Sequence, residues 1–264
     1  MTYIMERVFQ AGDPSVSHHC VQGDPVVPAA VYLNAALSGM PDDDSFLLRN
    51  IYFHSPLILE KSAGAKLLLE RTGKPARSFA VYNGETTGVE RTKHAEGSLR
   101  PMVSRDFGQI STEGAAFRCG MSVRPEDYYR LFGDAGISYG PFYRNLIEIR
   151  FNDSEAITRI RLTEAALGYS EGGSPIIHPA LLDGAFQSLG IFSLHRNSPY
   201  LYVPFYIESL EIKRVAFGEH FCAVQFKEGN DASPVQKYNV AICDREGNIG
   251  AKLTHVYLKR LKAF

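Results

Sequence analysis

A histidine, a glycine and a proline at fixed spacing carry the first chemical signal in this chain. They are His19, Gly23 and Pro28, within His18-His19-Cys20-Val21-Gln22-Gly23-Asp24-Pro25-Val26-Val27-Pro28. Histidine is a base of near-neutral strength. Glycine lets a backbone N–H approach a ligand with no side chain in the way. Proline suits the first turn of a helix, where its missing N–H costs nothing. The apolar run from Ala29 to Leu37 reads as that helix. The chain has 8 His, 23 Gly and 14 Pro in 264 residues, so chance supplies roughly 0.04 such patterns. On these residues alone two readings stay open: a base beside a backbone donor, or a tight turn before a core helix.

A second constellation lies in His178-Pro179-Ala180-Leu181-Leu182-Asp183-Gly184-Ala185-Phe186-Gln187, whose Asp183 and Gln187 stand more than 160 positions after His19. Asp183 is an acid in an apolar run, and aspartate is rarely buried unless it is paired or functional. Gln187 is four residues further, on the same helical face, where its amide reaches the carboxyl. The plainer alternative is a capping or salt-bridged aspartate. Burial would raise the aspartate above its usual value of about 3.9 and keep a proton on it. Two titratable groups pushed in opposite directions are the usual signature of an acid/base pair.

The elements that must position these groups fall into two similar passes. In the first, a helix at 28–38 is followed by strands at Phe46 to Leu59, Lys66 to Glu70, Phe79 to Asn83 and Thr92 to Leu99. Gly73-Lys74-Pro75 and Asn83-Gly84 mark turns. In the second, a short helix at Pro125 to Gly133 precedes strands at Leu146 to Phe151 and Ala156 to Leu162. A long apolar helix then runs from Pro179 to Leu194, before strands at Ile207 to Val215, His220 to Lys227, Tyr238 to Asp244 and Gly250 to Leu258. Glu228-Gly229-Asn230-Asp231 is one of the turns between these last strands. A helix apolar on most faces is wrapped by something, here its own sheet. The divisions are 1–104 for the first unit, 105–118 for a linker and 119–264 for the second unit.

Composition narrows the function classes. The net charge is −1 and 22% of residues are charged, with no basic stripe for nucleic acid. No apolar run reaches the length of a membrane span, and residues 1–10 lack a signal-peptide pattern. The four cysteines, Cys20, Cys119, Cys222 and Cys243, have no CxxC spacing. Zinc and dithiol chemistry are therefore unsupported, and reduced thiols in the cytoplasm are expected. Cys20 beside His19 makes a poor nucleophilic pair, because sequence neighbours on a strand point apart. There is no glycine-rich phosphate loop or dinucleotide fingerprint.

The motifs together resemble a polyketide synthase dehydratase domain, an α+β double hotdog in which two antiparallel sheets each wrap a long central helix. The HxxxGxxxxP motif stands as His19, Gly23 and Pro28, and the DxxxQ motif as Asp183 and Gln187. A YGPxF motif stands as Tyr139-Gly140-Pro141-Phe142-Tyr143, and further likeness runs through Lys93-His94-Ala95-Glu96-Gly97 and Val203-Pro204-Phe205-Tyr206-Ile207. There are departures: His18 stands where the family usually has aspartate, Ala29 for a glycine, Tyr143-Arg144 for Phe-Gln, and Ile207 for a tryptophan. None removes the acid or the base.

The resemblance implies a hydro-lyase that converts a 3-hydroxyacyl thioester to its enoyl form. His19 would take the α-proton and Asp183 would protonate the departing hydroxyl. Gly23 and the helix start at Pro28 would hold the thioester carbonyl, and Gln187 would orient Asp183. Tyr139, in the Tyr139-Gly140-Pro141 turn, is either a hydrogen-bond donor to the β-hydroxyl or a core tyrosine. The substrate would arrive on the phosphopantetheine of an acyl carrier protein, with no metal and no cofactor bound by the domain itself. Neighbouring synthase domains and a second copy of the chain, as a homodimer, are the other implied partners. A double-bond isomerase, a pyran-forming dehydratase/cyclase and a non-catalytic docking domain are the alternatives.

Overall fold

A computed structural model describes residues 2–10, 12–40, 45–59, 65–72, 78–84, 91–103, 106–169, 175–196, 200–216, 218–230 and 233–261. The first half comprises β1 (Thr2–Phe9), α1 (Pro14–Ser17), β2 (His19–Val21), β3 (Asp24–Pro25), α2 (Ala29–Leu37), β4 (Ser45–Phe53), β5 (Ala65–Thr72), β6 (Ser78–Asn83) and β7 (Lys93–Met102). The second begins with α3 (Thr112–Arg118), β8 (Met121–Ser122), α4 (Pro125–Asp134), β9 (Ile137–Tyr139), β10 (Leu146–Phe151), β11 (Glu155–Arg161) and α5 (Glu164–Leu167). It ends with α6 (Pro179–Gln187), a single 3-10 turn (Ser188–Gly190), α7 (Ile191–Leu194), β12 (Tyr202–Ile212), β13 (Glu219–Glu228), β14 (Val235–Cys243) and β15 (Ile249–Arg260).

Two antiparallel sheets join edge to edge in the order β1-β5-β6-β7-β4 and then β12-β15-β14-β13-β11-β10-β8. The seam is the β4–β12 pair, with Ile51 opposite Ile207 and Leu48 opposite Leu210. The inner strands alternate as a half-buried sheet must: in β14, Gln236, Tyr238, Val240 and Ile242 turn inward and Lys237, Asn239 and Ala241 are more exposed. Each half wraps one helix. In α2 every residue from Ala30 to Leu37 is buried, and in α6 every residue from Pro179 to Gln187. This is the double hotdog, and its two helices pack against each other.

A three-stranded sheet, β3-β2-β9, ties the halves together. Its β2–β9 ladder sets His19 opposite Tyr139 and Val21 opposite Ile137. A residue from the first motif is thus placed by backbone bonds to the second half.

Three expectations are adjusted. The strand expected to run to Leu59 ends at Phe53, and the chain beyond it turns to bridge Val26 through Ile58. The helix expected to be continuous from Pro179 to Leu194 breaks at Ser188–Gly190. There the Gln187 carbonyl accepts from the Tyr128 hydroxyl at 2.7 Å, and side-chain capture of a backbone acceptor disrupts the helical ladder. The 105–118 stretch is docked where described: Phe107 packs with Cys243 and Ile249, and α3 covers β11. The Gly73-Lys74-Pro75 turn and Asp231 lie outside the described residues. Among the described residues no helix is long and apolar enough to cross a membrane.

Candidate active site

Between the halves lies a cavity of about 490 Å³ whose lining includes His19, Pro28, Tyr139, Asp183 and Gln187. His19 enters from β2. Its Nδ1 lies 3.0 Å from the Val26 carbonyl, an acceptor only, so Nδ1 carries the proton and donates. In that tautomer of the neutral ring the lone pair is on Nε2. The ring is held edge-on by Tyr139 at 5.5 Å and Tyr143 at 5.7 Å between centroids.

Asp183 is 4% exposed, in the middle of α6. Burial raises its carboxyl above the usual aspartate value. The nearby His19 and the Gln187 amide pull the other way and are outweighed. Gln187 Nε2 donates to Asp183 Oδ2 at 2.8 Å and to the Tyr143 carbonyl at 3.0 Å. Its Oε1 accepts from the Tyr129 hydroxyl at 3.1 Å. With Oδ2 occupied as an acceptor, a proton on the carboxyl would sit on Oδ1.

The start of α6 is fixed by His178. Its Nδ1 accepts from the Ala180 N–H and its Nε2–H donates to the Ala166 carbonyl, each at 3.1 Å. Burial pushes His178 down to about 4, so it stays neutral and can accept at the helix N-terminus.

Tyr139 lines the cavity, and among the described residues its hydroxyl has no hydrogen-bond partner. Burial raises its pKa, which keeps it a donor. Gly140 and Pro141 do not line the cavity. They form the turn that holds His18, next to His19: the Gly140 N–H donates to the His18 carbonyl at 2.8 Å. The Phe142 N–H donates to His18 Nδ1 at 3.2 Å, and the Tyr143 hydroxyl to the Ser15 carbonyl at 2.6 Å. A Cβ on Gly140 would meet the His18 ring at 2.5 Å, so only glycine fits there.

Gly23 is not brought to the site. It occupies the exposed β2–β3 turn at φ +91°, away from the cavity lining. Its glycine is explained by that left-handed turn conformation. Pro28 stands one position earlier than expected, as the residue preceding α2, and no side chain caps the first turn. The Val31 N–H donates to the Pro28 carbonyl at 3.0 Å, which leaves the Ala29 and Ala30 N–H groups without a helical acceptor, and Ala29 lines the cavity. Sequence reasoning also missed Tyr129, Val26 and His178. The Tyr128, Tyr129 and Phe132 face of α4 was legible as one buried stripe; the Val26 carbonyl left no side-chain signal. Among the described residues no group of three or more His, Cys, Asp and Glu side chains is placed to share a metal ion.

Comparison with known proteins gives this arrangement relatives. A family model for the polyketide synthase dehydratase N-terminal domain matches residues 110–263, and one for the polyketide synthase dehydratase domain matches residues 2–84. The chain is 22% identical over 257 residues to polyketide synthase PksN of Bacillus subtilis, covering 92% of this chain and 4% of that protein. It is 24% identical over 266 residues to a phenolphthiocerol/phthiocerol polyketide synthase from Mycobacterium tuberculosis, covering 94% of this chain and 14% of that one. It therefore spans a small fraction of these curated relatives.

Among solved structures, a trans-AT polyketide synthase dehydratase domain from Brevibacillus brevis superposes with a TM-score of 0.85 at 20% identity, covering 99% of this chain and 94% of that one. The CurK dehydratase of curacin polyketide synthase gives 0.87 at 19% identity, with the same coverage. CurK variants with a histidine replaced by phenylalanine, or an aspartate by asparagine, are inactive.

Proposed function

The chain belongs to the polyketide synthase dehydratase domain family, and from that premise we propose that it removes water from a 3-hydroxyacyl thioester carried on an acyl carrier protein. The observation that carries the reading is the shared cavity: His19, whose Nδ1 faces the Val26 carbonyl, and Asp183, whose pKa burial raises, line the same space. Nε2 takes the α-proton. The electron pair of the C–H bond forms the α,β double bond as the β C–O bond breaks. Asp183 Oδ1–H delivers its proton to the departing hydroxyl, which leaves as water. Solvent returns the proton to Asp183 and removes the one on His19.

Charge that develops on the thioester oxygen needs donors aimed at it. The Ala29 and Ala30 N–H groups at the start of α2 and the positive end of that helix supply them, in place of Gly23. Tyr139, a donor on the same wall, suits the β-hydroxyl. The cavity lining includes Lys259, exposed, and Arg260, half-buried, cations fit for the phosphate of a phosphopantetheine arm. The steps as written call on no metal or nucleotide.

Further parts of the reading concern context. The edge strand β1 exposes Ile4 at 43% and Val8 at 53%, and an uncovered apolar edge favours pairing with a second copy. No disulfide joins Cys20, Cys119, Cys222 and Cys243, which suits a reducing cytoplasm. Neighbouring synthase domains supply the carrier-bound chain.

The test is incubation with a 3-hydroxyacyl pantetheine thioester, followed by mass spectrometry of the acyl group. Loss of one water with a conjugated product supports the reading. A deconjugated or cyclic product shifts it to an isomerase or a pyran-forming cyclase. No water loss over several chain lengths, with the fold intact, leaves a docking domain.

A further inference from the structure

Tyr32 is a cavity-lining polar side chain that the elimination does not use. It lies on α2 one turn beyond Ala29, so both face the same space, and it is 3% exposed. Its hydroxyl accepts a hydrogen bond from the Leu57 N–H at 3.3 Å. Among the described residues that hydroxyl has no acceptor for its own proton. Burial raises its pKa further above the usual tyrosine value. The proton is therefore permanent, and a buried donor without an acceptor is costly unless a ligand supplies one.

The ring is held in place from behind. His94 stacks against it at 6.2 Å with an interplanar angle of 20°. His94 in turn is anchored by Nδ1–H donation to the Ser55 carbonyl at 2.9 Å. The segment that meets the Tyr32 hydroxyl also runs along the exposed side of the cavity, where His54 and Pro56 are open to solvent. Leu57 follows His54, Ser55 and Pro56, which line it beside Pro204, Lys259 and Arg260. Tyr32 thus belongs to the stretch a carrier arm must occupy once its phosphate lies at Lys259 and Arg260 and its thioester lies at His19. Along that stretch a pantetheine arm offers amide carbonyls as its strong neutral acceptors.

We propose that Tyr32 donates a hydrogen bond to an amide carbonyl of the pantetheine arm and so sets how far the thioester enters the cavity. This rests on the carrier-thioester reading above. Tyr32 is then a positioning residue, acting on the arm and not on the reacting carbons.

Two unreactive probes separate this role from a structural one. The first is the pantetheine amide of a 3-hydroxy acid, with nitrogen in place of the thioester sulfur. The second is the butyl amide of the same acid, which lacks the arm. Affinities for wild type and Tyr32→Phe are read by titration. Tyr32→Phe is expected to bind the pantetheine amide about tenfold more weakly, the scale of one hydrogen bond, and the butyl amide within about twofold of wild type. Unchanged affinity for the pantetheine amide, equal weakening for both probes, or no binding of the pantetheine amide to wild type would each overturn the proposal. Because the probes do not react, the result stands apart from the dehydration assay. A wild-type protein that binds the pantetheine amide but leaves the thioester unchanged refutes the dehydratase reading alone.

Discussion

The Gln187 amide donates to Asp183 Oδ2 at 2.8 Å, from one turn further along the same helix. That bond occupies Oδ2 as an acceptor, and it opposes the rise in pKa that burial causes. Removing the amide frees the carboxyl to turn and raises its pKa further. Gln187→Leu is expected to lower kcat roughly tenfold, the scale of a lost hydrogen bond to an ionisable group. It should also move the alkaline fall of the kcat–pH profile to higher pH. An alkaline limb that stays put or moves down would remove Gln187 from this role.

Asp183 also leaves a signature in stability. The folded protein holds the carboxyl proton more tightly than the unfolded chain does. The stability this contributes is fully present below the ordinary aspartate value of about 3.9 and is lost as pH rises through the raised folded value. Asp183→Asn cannot ionise. Its melting temperature relative to wild type should therefore climb as pH increases from about 4. A difference that stays constant with pH would mean that the carboxyl is not held neutral by the fold.

His178 has the opposite sign. Its folded value is pushed down to about 4 by burial. The stability it contributes is present above the ordinary histidine value of about 6.5 and is lost as pH falls through the folded one. Asn at position 178 would keep the helix cap without a titrating ring. Acid denaturation of His178→Asn should lose less stability between those two pH values than wild type does. His94 and His220 are also lowered by burial, so part of the acid loss will remain.

The turn behind the base predicts a suppressible clash. Gly140→Ala places a methyl 2.5 Å from the His18 ring, and overpacking of this kind costs about 1–3 kcal/mol. Adding His18→Gly removes both the ring and the Cβ, which would itself lie 2.8 Å from the new methyl, so Gly140→Ala should cost much less stability in the His18→Gly background than in wild type. Denaturant titration of the four proteins measures the coupling. Strict additivity would show that the two residues do not meet.

Much of this site was legible because its signals are local. The Asp183–Gln187 bond follows from helical spacing, and the helix after Pro28 from its apolar run. What was hidden depends on the chain coming together. The His19 tautomer rests on a backbone carbonyl, that of Val26, which no side-chain motif announces. The break after Gln187 comes from Tyr128, a residue 59 positions away. Gly23 misled because a glycine beside a base suits a close approach and a left-handed turn equally well, and only the fold distinguishes them.

Turnover by wild type, His19→Phe and Asp183→Asn on one 3-hydroxyacyl pantetheine thioester tests the acid–base pair most directly. The account predicts enoyl product and free water from wild type, and a loss of at least about a thousandfold in each folded variant, the scale expected for losing a positioned acid or base. Asp183→Asn retaining more than about a tenth of wild-type activity would contradict it, because the asparagine amide cannot replace the proton that the departing hydroxyl requires.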